Sequence, residues 1–182
     1  MQIGTPPPIN NPTLPGGGSS TDPHQVALDV LAHVPLPNIE LRMNPTLGLV
    51  ALQSWYWVNG YDGQPFGASR TVTIPPAVPG GTPTSFTVTV RIWSDRYDWD
   101  FGDGNNASSH SLGQPYPQLS DITHTYQHSS LGLANGFPVR LTVEFGAEYS
   151  VNGGAPQPLP PIRHTYENDF RVQELQPVLT GT

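Results

Sequence analysis

Residues 97–104 read Tyr97-Asp98-Trp99-Asp100-Phe101-Gly102-Asp103-Gly104, so large aromatic residues alternate with carboxylates up to a glycine-rich turn. Alternation with a period of two is typical of a β-strand, and it places the aromatic rings on one face and the Asp98 and Asp100 carboxylates on the other. Three large rings on one face carry enough apolar area to anchor a core. The glycines can adopt the positive φ of a tight turn, and the Asp103 carboxylate can accept hydrogen bonds from turn amides. We therefore predict a core strand that packs against a second sheet and ends in a tight turn.

Two later motifs accompany the hexapeptide at 99–104. They are His124-Thr125-Tyr126 and the strand-like run Val139-Arg140-Leu141-Thr142-Val143. In this combination the chain resembles the PKD domain, first described in polycystic kidney disease protein, over about residues 84–146. The resemblance implies an immunoglobulin-like β-sandwich that acts as a spacer or adhesive module of exported and cell-surface proteins, and therefore an extracellular location. It also implies that His124 and Tyr126 are structural, with Tyr126 buried and its hydroxyl bonded to the backbone.

Helix and strand patterns lie on both sides of residues 97–104. Asp22-Pro23 predicts the start of a helix, because Asp is a favoured N-cap and Pro fits the first helical position. Apolar residues recur at helical spacing as far as Val34, and the helix should end before Pro35. The clearest strand is Thr84–Trp93, where apolar and polar residues alternate. Further strands are predicted at 39–43, 47–52, 55–58, 69–74, 139–145, 149–151, 162–166 and 170–175.

These elements predict an all-β sandwich with extra N- and C-terminal strands and one short N-terminal helix. The resemblance implies that this sandwich is immunoglobulin-like (PKD-like). The chain divides into four segments. Residues 1–21 are a Pro/Gly-rich arm or linker, 22–83 hold the helix and accessory strands, 84–146 form the PKD-like core, and 147–182 hold C-terminal strands that complete the sandwich.

The composition excludes several classes of partner and chemistry. The 182 residues carry a formal net charge of -7, with no lysine and arginines spread singly along the chain. A nucleic-acid-binding surface needs clustered basic residues, so nucleic acid is excluded as a partner. No apolar run approaches the length of a membrane span, which predicts no membrane insertion. Because the chain has no cysteine, disulfides, thiolate catalysis and cysteine-ligated metals are excluded as well.

Two groups of side chains suggest a metal ion. Asp98, Asp100 and Asp103 offer the oxygen ligands that Ca²⁺ prefers, which makes calcium the one candidate cofactor. The alternative is that Asp100 and Asp103 hold the turn through hydrogen bonds, and it is favoured because their spacing matches no regular calcium loop. His124 and His128 are four residues apart, but a zinc pair at this spacing needs a helix and these residues follow a predicted strand.

The sequence favours a non-catalytic protein. It contains no nucleophile elbow, no phosphate loop and no dinucleotide fingerprint. A glycosidase pair could be imagined from Glu144 and Glu148, or from Asp100 and Asp103, but exposed carboxylates of this kind occur in almost any sandwich. A carbohydrate-active hydrolase therefore stays a minor alternative.

Exposed aromatic residues are the best candidates for binding. Trp93 falls on the polar face of its predicted strand, and Trp55 and Trp57 belong to a dense aromatic cluster. Rings that cannot all point inward predict a surface for stacking on sugars or for contact with a protein. The alternative is that neighbouring segments cover Trp93.

The N-terminal arm suggests a further alternative. Prolines keep Met1–Thr21 extended, so docking on the edge strand of a neighbour would order the arm at a small entropic cost. In that case the chain is a structural subunit of an extracellular fibre or oligomer that self-associates through residues 1–21.

Overall fold

The computed structural model describes residues 21–175, which form an all-β, sandwich-like fold with one short helix. The elements in chain order are α1 (Pro23–His33), β1 (Glu40–Asn44), β2 (Gly48–Leu49), β3 (Gln53–Asn59), β4 (Phe66–Ile74), β5 (Thr84–Asp100), β6 (Asn106–Ser109), β7 (Thr123–Thr125), β8 (Phe137–Val151), β9 (Gln157–Phe170) and β10 (Val172–Gln173). The prediction of an all-β fold with one N-terminal helix is confirmed.

The larger sheet has five strands in the order β4-β5-β8-β9, with β6 beside the distal half of β5. All of its neighbouring strands are antiparallel. Along β8 each odd-numbered residue from Phe137 to Tyr149 is buried, while the even-numbered residues lie on the outer face. This alternation defines an inner face that contributes to the core and an outer face toward solvent.

A β-bulge divides β5 into two halves. Ser94 pairs with Phe145 and Arg96 with Glu144, so Asp95 is an extra residue on β5. Before the bulge the buried residues of β5 are even-numbered, as at Ile92, and after it they are odd-numbered, as at Tyr97. The extra residue resets the alternation, so both halves of the strand turn their apolar side chains to the same core.

The smaller sheet has three antiparallel strands in the order β1-β3-β7. Tyr56 of β3 lies at the centre of the contact between the sheets. Its ring is 5.9 Å from that of Trp99 and 5.0 Å from that of Phe101, both in tilted or edge-on arrangements. Trp99 and Phe101 therefore face a second sheet as predicted, and Tyr97 is buried on the same side of β5.

The helix covers the other half of the inner face. Asp22 caps α1 by accepting a hydrogen bond from the His24 amide at 3.0 Å. Val26, Ala27, Val30 and Leu31 are buried, and the helix contacts β4, β5 and β8. Within residues 21–175, no helix is long and apolar enough to cross a membrane.

Several predicted strand boundaries are wrong. The predicted strand 84–93 and the predicted core strand that starts at Tyr97 belong to one strand, β5, which ends at Asp100. They are continuous because a bulge redirects a strand without ending it. Residues 139–145 and 149–151 likewise belong to one strand, β8, which crosses the segment boundary at 146. The two-residue strands β2 and β10 form a separate parallel pair, although the prediction extended them to 47–52 and 170–175. The predicted arm lies outside the described residues except for Thr21.

Candidate functional site

The outer face of the larger sheet carries polar and charged side chains in cross-strand pairs. Arg91 contacts Glu148 at 3.2 Å, and Arg163 donates two hydrogen bonds to Glu144, at 2.6 and 2.8 Å. Hydroxyl pairs continue the pattern at Ser69 and Thr89, Thr71 and Thr87, and Thr142 and Thr165. These side chains leave both hydrogen-bond donors and acceptors available across a broad surface.

Trp93 lies in the middle of this outer face and is half-buried. Its partner in β8 is Gly146, and a Cβ atom added there would come within 2.7 Å of the indole ring. The indole therefore rests directly on the Gly146 backbone. The Arg91 guanidinium lies 5.5 Å from the ring centroid, within the range of a cation–π contact. Trp93 is thus a fixed aromatic surface between the Arg91–Glu148 and Arg163–Glu144 ion pairs.

A polar cleft of about 590 Å³ opens at the β-bulge, and its nearest lining residue along β5 is Asp95, two residues after Trp93. Its lining residues are Asp95, Arg96, Ser108, Ser109, His110, Glu144 and Arg163. His110 Nδ1 lies 2.7 Å from the carbonyl oxygen of Asp95, which ties β6 to the bulge. We call Trp93 together with this cleft the outer-face site.

Trp55 and Trp57 lie on the opposite side of the sandwich. They alternate with the buried residues Ser54, Tyr56 and Val58, so both are half-buried on the outer surface of the smaller sheet. The Trp55 ring is 5.5 Å from that of Tyr116, in an edge-on arrangement. The three predicted binding tryptophans therefore belong to two separate surfaces, with Trp93 on one and Trp55 and Trp57 on the other.

The turn after β5 contains a carboxylate–imidazole pair. Gly102 has a φ of 78°, and a Cβ atom there would lie 2.8 Å from the Pro138 carbonyl oxygen, so the turn requires glycine. His124 Nε2 lies 2.8 Å from Asp103 Oδ2. The His124 ring also stacks on Phe101, with centroids 4.3 Å apart and planes inclined by 6°. This pair joins the turn to β7 and thereby connects the two sheets.

Asp103 should make the fold sensitive to acid. Burial by itself raises the pKa of this carboxyl, but hydrogen bonds from His124 and Asn105 outweigh burial and hold the pKa below its ordinary value of 3.8. A lowered pKa in the folded state stabilises the fold above the ordinary value, and the contribution is lost as the pH falls through the lowered pKa. We expect Asp103→Asn to be less stable than the unchanged chain near neutral pH, with a difference that shrinks in acid. Urea unfolding of both chains from neutral to strongly acid pH measures this difference in the free energy of unfolding. A difference that persists in strong acid would show that the Asp103 carboxylate is not its cause.

The structure gives each carboxylate of the suggested calcium site its own partner. Asp98 accepts hydrogen bonds from Arg96 and Ser108, at 2.8 and 2.6 Å. Asp100 accepts one from the Gly102 amide at 2.9 Å. Asp103 accepts one from the Asn105 amide and contacts the His124 imidazole. Among the described residues, no three His, Asp or Glu side chains are grouped so that they could hold a metal ion. The contacts at Asp100 and Asp103 are those of the hydrogen-bonded turn.

One of the two carboxylate pairs considered for hydrolysis, Glu144 and Glu148, is widely spaced along β8. A strand rises about 3.3 Å per residue, so the Glu144 and Glu148 backbones are about 13 Å apart. The two carboxyl groups of a glycosidase lie roughly 5 to 9.5 Å apart. Trp93 also lies between these two residues, on Gly146.

Three features of the structure escaped sequence reasoning. The local pattern showed neither the register that puts Gly146 under Trp93 nor the extra residue at Asp95. The burial of Tyr56 between the sheets was not predicted either, although the alternation of Ser54, Tyr56 and Val58 on one side of β3 indicates it.

No family model, curated protein or solved structure matches this chain in the comparisons with known proteins. The resemblance to the PKD domain therefore stays a prediction.

Proposed function

We propose that this chain is a non-catalytic module of an exported or cell-surface protein, and that it binds carbohydrate through the outer-face site. The observation that carries the proposal is the contact of the Trp93 indole with Gly146, between the Arg91–Glu148 and Arg163–Glu144 ion pairs. Adhesion is also what the resemblance to the PKD domain implies.

The chemistry of the outer-face site fits a sugar. A pyranose ring has apolar C–H faces that pack on an aromatic surface, and its rim of hydroxyl groups needs both donors and acceptors. Trp93 supplies the aromatic surface, and the Arg163–Glu144 pair beside it supplies donors and acceptors. The Gly146 backbone holds the indole before any ligand arrives, so little freedom is lost on binding.

Trp93→Ala should abolish most of the binding. Loss of a central aromatic anchor costs about 2 kcal/mol or more, which corresponds to an affinity roughly 30-fold weaker. A glycan array identifies the ligand, and calorimetry with that glycan measures the change. Trp55→Ala is the matched control, because Trp55 is also a half-buried strand residue but lies on the opposite surface. Its affinity should equal that of the unchanged chain.

Gly146→Ala tests the position of the ring without removing it. A methyl group at 146 would lie 2.7 Å from the indole and must displace it. We expect weaker glycan binding with the fold retained by circular dichroism. Binding that survives both Trp93→Ala and Gly146→Ala would refute the outer-face site. If the unchanged chain binds no glycan but binds a protein, and Trp93→Ala loses that protein, the ligand of the outer-face site is a protein.

A further inference from the structure

Strand β4 is an open edge of the larger sheet. It begins the strand order β4-β5-β8-β9, and within residues 21–175 no strand pairs with its outer side. It runs for nine residues, Phe66–Ile74, without a proline or a bulge. Its one charge, Arg70, forms an ion pair with Asp29 of α1. A long regular edge of this kind offers its backbone for pairing with another strand.

The opposite edge, β9, is protected in the ways that proteins use against such pairing. It contains Pro158, Pro160 and Pro161, and its register with β8 is interrupted beside them. Its other half is bridged to the smaller sheet, since Asn168 donates a hydrogen bond to the Leu41 carbonyl at 3.0 Å. Proline and a bulge block ladder formation at an edge. Of the two edges that the larger sheet has within residues 21–175, β4 is therefore the one suited to a partner.

Contacts of β5 show which backbone groups of β4 are free. The Asn152 amide donates to the Thr87 carbonyl at 2.8 Å, and the Thr87 amide donates to the Asn152 side chain at 2.8 Å. Both backbone groups of Thr87 therefore point toward the β8 side of β5. Successive residues of a strand point their N–H and C=O groups to opposite sides. The N–H and C=O groups of Val88 therefore point toward β4, where Val88 is paired with Arg70.

The same alternation continues along β4. Because the N–H and C=O groups of Arg70 point toward β5, those of its neighbours Ser69 and Thr71 point away from the sheet. The N–H and C=O groups of Gly67 and Thr73 also point away from the sheet, because each lies two residues from Ser69 or Thr71. The free edge is thus a row of four residues whose backbone groups have no partner in the sheet to which β4 belongs.

The sequence of β4 is self-complementary about Arg70. In antiparallel pairing with a copy of itself, Phe66 lies opposite Ile74 and Ala68 opposite Val72, on the inner side. On the outer side Ser69 lies opposite Thr71, which extends the hydroxyl pairs already formed with Thr89 and Thr87. Apolar residues thus meet apolar residues and Ser69 meets Thr71, as a two-fold interface requires. Gly67 lies opposite Thr73, and at the axis Arg70 lies opposite Arg70 of the copy, where each arginine is held in an ion pair with Asp29 of its own chain.

We propose that β4 pairs antiparallel with β4 of a second copy, so that two larger sheets join into one. Each copy carries a formal net charge of -7, so two copies repel each other overall. At β4 the only charge is neutralised within its own chain by Asp29. The edge also holds its shape in the single chain, because Ser69 and Thr71 are bonded to β5.

The test compares the mass in solution of the full chain with that of the Thr71→Pro variant. Proline removes the outward N–H of residue 71, which the chain's own sheet does not use. Light scattering should give twice the chain mass of 19.7 kDa for the unchanged protein and the single mass for Thr71→Pro. Thr71→Ala is the matched control, since it loses the same hydroxyl contact with Thr87 but keeps the N–H. It should remain a dimer.

Two further measurements guard against a folding defect in Thr71→Pro. Thr73→Pro removes another outward N–H nearer the strand end, and it should also give a monomer. In the unchanged chain, hydrogen exchange at the Thr71 and Thr73 amides should be slow, because solvent-facing amides are protected only in the dimer. A monomeric full chain at millimolar concentration, fast exchange at both amides, a dimeric Thr71→Pro, or a monomeric Thr71→Ala would each overturn the proposal.

Discussion

Trp99→Ala should lower the free energy of unfolding by about 3 to 5 kcal/mol, which is the usual cost of deleting a buried aromatic side chain. Trp99 is only 1 % exposed and lies between the two sheets, where its ring meets that of Tyr56. It is opposite Leu141 in β8 and Ala107 in β6, so alanine would leave a cavity that three strands border. This loss is a large fraction of the 5 to 15 kcal/mol by which domains are typically stable.

Urea unfolding measures this loss, and the melting temperature should fall by about 10 °C. Trp99→Phe is the matched control. Among the described residues the Trp99 indole N–H has no hydrogen-bond partner, so phenylalanine loses ring volume but no hydrogen bond. The phenylalanine variant should therefore be clearly more stable than the alanine variant. If Trp99→Ala has the same melting temperature as the unchanged chain, Trp99 is not a core residue.

Tyr126→Ala should have an effect of similar size, about 3 to 5 kcal/mol. Tyr126 is fully buried, and its ring stacks on Phe137 with centroids 4.9 Å apart. Its hydroxyl accepts a hydrogen bond from the Tyr56 hydroxyl at 2.9 Å and donates one to the Phe101 carbonyl at 3.1 Å. Burial raises the pKa of the Tyr126 hydroxyl, which keeps it protonated and able to donate. The side chain thus combines ring packing with a hydrogen-bonded chain between the sheets.

Two phenylalanine variants separate these contributions. Tyr126→Phe keeps the ring but leaves the Tyr56 hydroxyl and the Phe101 carbonyl without this partner, so it should cost about 1 to 3 kcal/mol. Tyr56→Phe breaks only the bond between the two hydroxyls, because Tyr126 can still donate to Phe101. It should cost less than Tyr126→Phe, and a double-mutant cycle gives the coupling. Equal stability of Tyr126→Phe and the unchanged chain would contradict the role of the hydroxyl.

The two proposals are connected through the larger sheet. Antiparallel pairing about a two-fold axis keeps the outer faces of both sheets on the same side. A dimer formed through β4 would therefore present two Trp93 surfaces in one direction. Two weak sites held in this way bind a repetitive polymer such as a polysaccharide with higher avidity than one site. Loss of the dimer in Thr71→Pro should then weaken binding to a long glycan more than to a short one.

Local patterns in the sequence were sufficient for the fold class and for the main anchor. The alternation from Tyr97 to Phe101 depends only on side chains two residues apart, because neighbouring residues of a strand point to opposite faces. The helix start at Asp22-Pro23 is equally local, since the cap and its amide are two residues apart. Trp93 could be placed on a polar face for the same reason.

Features that depend on strand pairing were decided only by the tertiary structure. The bulge at Asp95 joins two predicted strands into one, and it exists only relative to the register of β8. Trp93 and Gly146 are far apart in sequence, so only that register brings the ring onto the glycine. The open edge of β4 is likewise a property of the strand order. Local alternation determines which side of a strand a residue faces, whereas pairing between distant segments determines what it contacts there.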